Sequence, residues 1–117
     1  MNDPRVLTSE AELDAAFARS TDHPVLLFKH SLICPISTSA YDRFHEYLQS
    51  ETLPVDSCVI EVQPQRRLSQ EVERRTGVRH ESPQALVLKD GRPVWHASHG
   101  SITEASLQAA LRTPGAS

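Results

Sequence analysis

The chain has 117 residues, 38% hydrophobic and 23% charged, which suits one small domain with a modest core. Its formal net charge is −3, and Arg66-Arg67 and Arg74-Arg75 are diluted by Glu71 and Glu73, so nucleic-acid binding has no electrostatic support. No apolar run nears membrane-spanning length, the start Met1-Asn2-Asp3-Pro4-Arg5 has no apolar leader, and two cysteines are too few for a disulfide scaffold; the expectation is a cytosolic chain with free thiols and no membrane partner.

Ser9-Glu10-Ala11-Glu12 matches a capping box, with Ser9 as N-cap and Glu12 reaching back. It predicts a short first helix in which Leu13 and Phe17 share a face and which His23-Pro24 ends. Val25 to Lys29 reads as a fully buried strand. The next helix starts near Cys34, where Pro35 suits the first turn because the N–H it lacks would be unbonded there. Ile36, Ala40, Phe44 and Leu48 follow at intervals of four and predict one apolar stripe, closed by Leu53-Pro54.

Cys58 to Val62 predicts a second strand, with Cys58 as a small core hydrophobe. Leu68, Val72 and Thr76 lie on one face of a third helix, and Gly77 suits the position just past its end. Val78 to Gln84 reads as a loop and Ala85 to Leu88 as a third strand. Asp90-Gly91 reads as a hairpin turn and Val94 to Ala97 as a fourth strand. Ser101-Ile102-Thr103-Glu104 offers another capping box, for a last helix through Leu107 and Leu111 that Thr113-Pro114-Gly115 stops. The order α-β-α-β-α-β-β-α predicts an α/β fold. Its four-stranded mixed sheet has helices on both faces, a thioredoxin-like layout.

Cys34 falls between the first strand and the first turn of a helix. Unbonded N–H groups and the positive end of the helix dipole favour a thiolate there. Three residues on, where a dithiol oxidoreductase keeps its second cysteine, stands Ser37, so the chemistry implied is one-thiol exchange. Position alone leaves a nucleophile and an inert thiol in a helix cap as equal readings. The Ser37 hydroxyl either donates to the thiolate or caps the helix.

Phe28-Lys29-His30-Ser31, Cys34-Pro35-Ile36-Ser37, His80-Glu81-Ser82-Pro83-Gln84, Val94-Trp95 and Ser98-His99 occur in that order. Together they resemble the monothiol bacilliredoxins, thioredoxin-like bacterial proteins that use bacillithiol in place of glutathione. The resemblance runs from about Val25 to Leu111. It implies removal of bacillithiol from mixed disulfides on bacillithiolated client proteins, with bacillithiol as co-substrate and no tightly bound cofactor. By the same resemblance Cys34 is the active cysteine, Pro35, Ile36 and Ser37 are its motif partners, and Pro83 is the proline facing the site. A cis Ser82-Pro83 bond is implied by the fold, since most X–Pro bonds are trans. Ser82 would then offer backbone groups to a substrate strand.

His30 and His80 belong to the flanking segments and could stabilise a thiolate or shuttle a proton. His96 and His99 lie on opposite faces of a strand end, which is poor geometry for a metal, so no metal site is expected. Lys29 reads as a solvated strand-end lysine, Trp95 as core, and Glu61 and Gln63 as solvated. Two other classes stay open. One is an iron–sulfur cluster carrier like the monothiol glutaredoxins, although Pro35-Ile36 lacks the glycine such a motif often has. The other is a non-catalytic binding module on the same scaffold.

Overall fold

A computed structural model describes residues 2–112, so the expected helix stop at Thr113-Pro114-Gly115 lies outside the described residues. Chain order is β1 (Arg5–Val6), α1 (Glu10–Arg19), β2 (Val25–His30), α2 (Pro35–Ser50), β3 (Asp56–Glu61), α3 (Arg66–Thr76), β4 (Gln84–Lys89), β5 (Arg92–Ser98), a 3-10 turn (His99–Ser101) and α4 (Glu104–Arg112). The sheet is mixed, as expected, but has five strands rather than four, in the order β1-β3-β2-β4-β5. The addition is β1, whose Arg5 and Val6 lie parallel to Cys58 and Val59 of β3. Two residues carry no readable period; here the pairing partner makes the strand.

β2 is the central strand. It runs parallel to β3, from Val25 opposite Asp56 to His30 opposite Glu61. It runs antiparallel to β4, from Val25 opposite Leu88 to Lys29 opposite Gln84. Asp90 and Gly91 turn the chain into β5 with φ of 56° and 73°. A two-residue hairpin whose twist matches its strands needs two such left-handed residues.

The helix ends follow capping chemistry with two departures. The Ser9 hydroxyl accepts the Glu12 N–H at 3.2 Å. The Glu12 carboxylate reaches one residue further back than expected, taking the Thr8 N–H at 2.8 Å and the Thr8 hydroxyl at 2.9 Å. Gly77 ends α3 in the left-handed region, with its N–H on the Glu73 carbonyl at 2.8 Å. At α4 the expected Ser101–Glu104 box gives way to Thr103 and Ser106, whose hydroxyls accept each other's backbone N–H at 3.1 and 3.0 Å. Residues His99–Ser101 are spent in the 3-10 turn, which moves the helix start along the chain.

Alternation along the strands divides the core in two. Leu26, Phe28 and Val87 pack with Phe44 and Leu48 of α2 and Leu107 of α4. Leu27, Cys58 and Leu86 pack with Leu13 of α1 and Leu68 and Val72 of α3. Helices therefore cover both faces. Phe28 and Phe44 stack with centroids 4.8 Å apart, and full burial of such a ring contributes roughly 1.5–3 kcal/mol.

On α2 the buried residues are Ser37, Ala40, Phe44, Tyr47 and Leu48, whereas Ile36 is 58% exposed. The expected stripe through Ile36 is thus corrected at its first member. Each step of four overshoots a full turn by about 40°, so a strict four-residue stripe winds around the helix. The buried face instead follows alternating steps of three and four and begins at Ser37. Among the described residues no helix is long and apolar enough to cross a membrane.

Candidate functional site

The ends of β2 and β3, the start of α2 and the loop entering β4 meet at one edge of the sheet. Cys34 occupies the N-cap of α2 in an extended conformation, φ −108° and ψ 119°, and is half-buried. Its carbonyl accepts the Thr38 N–H at 3.1 Å, and its side chain makes no capping bond. Pro35 has no N–H, so Ile36 and Ser37 supply the first-turn donors beside it. Leu32, Ile33 and Ile36 are 49%, 80% and 58% exposed, and no charged residue occurs from Ser31 to Tyr41. The chain on either side of the thiol is therefore uncharged and largely apolar.

Ser37 departs from both expectations for it. It is completely buried, and its hydroxyl accepts the Ser31 N–H at 2.8 Å and lies 2.9 Å from Nδ1 of His30. It neither caps the helix nor waits for the thiolate; it fastens the loop between β2 and α2. His30 in turn stacks on Tyr41 with centroids 4.7 Å apart. Burial depresses its pKa, which keeps the ring neutral at neutral pH.

The same loop is held from the other side by Gln63, just past β3. Its Oε1 accepts the Leu32 N–H at 2.9 Å, and its Nε2 donates to the Ser31 hydroxyl at 2.9 Å. Gln63 was expected to be solvated; it is half-buried and bonded at both ends. A signal was present in the sequence, because the carboxyl ends of parallel strands are where α/β sheets assemble sites.

The Ser82-Pro83 bond is cis, as the resemblance implies. Pro83 is buried, and its carbonyl accepts the His99 N–H at 3.1 Å. Arg43 of α2 donates to the Ile102 carbonyl at 2.6 Å and to the His99 carbonyl at 3.3 Å. The helix that carries Cys34 and the loop that carries Pro83 are thereby tied to one turn. The Ser82 hydroxyl is buried without a hydrogen-bond partner among the described residues.

Lys29 contradicts the reading of a solvated lysine. Alternation on β2 points it to the same side as Val25 and Leu27, and it is completely buried. Its Nζ lies 3.1 Å from Nδ1 of His80, in the loop leading to Pro83. Burial pushes the amine down to about 8. Burial and the charge of Lys29 also depress His80, whose backbone N–H is held by Glu73 at 3.2 Å. Trp95 is only half-buried, against the core on the α2 side. Cys58 is sealed at mid-sheet opposite Leu27, and burial pushes its thiol up to about 12.

The geometry thus offers one half-buried sulfur, a buried hydroxyl three residues on where a dithiol enzyme keeps its second sulfur, and a cis-proline loop entering β4 beside the end of β2. A family model described as monothiol bacilliredoxin BrxC matches residues 5–107. A solved structure described as having a thioredoxin fold is 36% identical, covers 92% of each chain and superposes with a TM-score of 0.82. Thioredoxins from Malassezia sympodialis (18% identity, 97% of this chain and 92% of that one, TM-score 0.74) and Fasciola hepatica (17%, 94% and 98%, 0.74) share the fold.

Proposed function

This chain belongs to the monothiol bacilliredoxin family, and on that premise we propose that it removes bacillithiol from client proteins by exchange at Cys34. The Cys34 thiolate attacks the bacillithiol sulfur of a client mixed disulfide. That disulfide breaks, the client sulfur leaves as a thiolate and takes a proton from solvent, and bacillithiol stays on Cys34. A second bacillithiol, as its thiolate, attacks the adduct. It releases the symmetrical bacillithiol disulfide and regenerates Cys34.

The observation that carries this reading is the pairing of a half-buried helix-capping thiol with a Ser37 hydroxyl already committed to Ser31 and His30. Nothing in the first turn of α2 can resolve the adduct internally, so an external thiol must. In this scheme Cys34 is the nucleophile and Ser37 acts through the loop it fastens. Pro35 and Ile36 form part of that uncharged stretch, and His80, Ser82 and Pro83 face the substrate. The reaction belongs to a reducing cytosol, where such a thiol stays free.

Intact-mass analysis after incubation with oxidised bacillithiol or oxidised glutathione tests it. One adduct on Cys34 is expected, formed faster with bacillithiol. Cys34→Ser abolishes release of bacillithiol from a modified client, while Cys58→Ser retains it. Equal loss in both folded variants would overturn the single-nucleophile scheme.

A further inference from the structure

Among the described residues Lys29 is the one charged side chain that is completely buried. An ammonium has three donors and no acceptor. At 3.1 Å from Nδ1 of His80 it can only donate, so Nδ1 must accept. A neutral imidazole with an accepting Nδ1 carries its proton on Nε2. The ring is half-buried, and the backbone around it is clamped. The His80 N–H is on Glu73 of α3 at 3.2 Å, and Gln84 Nε2 is on the Arg79 carbonyl at 2.9 Å. The charged groups acting on His80 are Lys29 from β2, Glu73 from α3 and Glu81 from its own loop. Lys29 is the one of these bonded to the ring.

We propose that Lys29 is a positioning residue that fixes His80 as an Nε2–H donor, and that this donor takes an acceptor oxygen beside the disulfide being exchanged. The inference rests on the exchange reading at Cys34 and names what His80 recognises there. His80 lies three residues ahead of Pro83, in the loop that enters β4 beside the carboxyl end of β2, the end from which the chain runs on to Cys34. The acceptor is a carboxylate of the small thiol or a backbone carbonyl of the client. A histidine free to change tautomer would present a donor or an acceptor in turn. One pinned by a buried ammonium presents a donor for as long as the ammonium keeps its proton, which selects substrates carrying oxygen next to the sulfur.

Nitrogen–proton correlation NMR of the ¹⁵N-labelled full chain reads the ring of His80 directly. A single Nε2–H tautomer is expected in the parent protein and a tautomer mixture in Lys29→Met. In exchange kinetics, Lys29→Met and His80→Leu should each raise KM roughly three- to tenfold with kcat unchanged, the size of one hydrogen bond. The double variant should be no worse than either single one, because the two residues act as one unit. A KM effect with both the symmetrical bacillithiol disulfide and a modified client assigns the oxygen to the small thiol. An effect with the client alone assigns it to the client backbone. An Nδ1–H tautomer in the parent, or an unchanged KM in His80→Leu, overturns the proposal even if Lys29→Met fails to fold. Retention of activity in Cys34→Ser would instead sink the exchange reading, and the tautomer would still be legible on the resting protein.

Discussion

Replacing Lys29 with methionine removes a buried charge whose cost to the fold can be worked out. Burial lowers the amine from 10.5 to about 8, and the side chain is completely buried. The shift corresponds to a penalty on the order of 3 kcal/mol at neutral pH. The folded lysine holds its proton less tightly than the unfolded one. Between about 8 and 10.5 the unfolded chain therefore binds more protons, and this residue adds stability as pH rises through that window. Methionine keeps the unbranched stem and removes the charge, but it leaves Nδ1 of His80 without its donor, a loss of about 1–2 kcal/mol. Lys29→Met should thus be more stable than the parent by about 1–2 kcal/mol at pH 7, and less stable by a similar amount above pH 10.5. Urea unfolding of both proteins at several pH values, under a phosphine reductant, measures this. Cys58 titrates in the opposite sense: its thiol rises from 9.0 to about 12, so stability is lost as pH climbs past 9. That background is common to both proteins and cancels in their difference. A difference that stays constant from pH 7 to 10.5 would refute the reasoning.

Gln63→Leu should release the Leu32 N–H and the Ser31 hydroxyl together, speeding amide hydrogen exchange at Leu32 and costing about 1–2 kcal/mol in urea unfolding. Gln63→Glu retains an acceptor for Leu32 and should preserve most of that protection; equal deprotection in both variants would refute the clamp. His30 predicts an acid limb. Its folded pKa lies below the ordinary 6.5, so the unfolded chain takes up the proton first and stability falls as pH drops below about 6.5. His80 is depressed as well and contributes with the same sign. Burial pushes Asp56 up, but Arg19 and His23 hold it below its ordinary 3.8, so its own contribution is lost only at lower pH. Thermal unfolding between pH 7 and 5 should show a shallower fall in His30→Gln than in the parent.

Elements with a local cause were legible in the chain. Cys34-Pro35 at a helix start, Ser9 as a cap, Gly77 past α3 and Asp90-Gly91 at a hairpin each follow from what one or two residues allow in the backbone. What escaped depends on partners distant in sequence. β1 exists because β3 lies beside it. Gln63 acts through Ser31 and Leu32, about thirty residues earlier, and Arg43 through His99 and Ile102, almost sixty later. Ser37 looked available to the thiol because chain spacing shows that it is one turn from Cys34 but not that Ser31 and His30 claim its hydroxyl. Lys29 was misread because charge was weighed above alternation. Val25, Leu27 and Lys29 share a face, and that face is interior.

The unequal settings of the two sulfurs give the protein a gauge of its own integrity. A bulky alkylating probe meets Cys34 at the protein's edge, whereas Cys58 is sealed between the sheet and the α1–α3 layer and is reached only when that packing opens. One labelled thiol per chain marks an intact molecule and two mark an opened one. The second label therefore reports how often the whole architecture opens, without any reporter group having to be introduced.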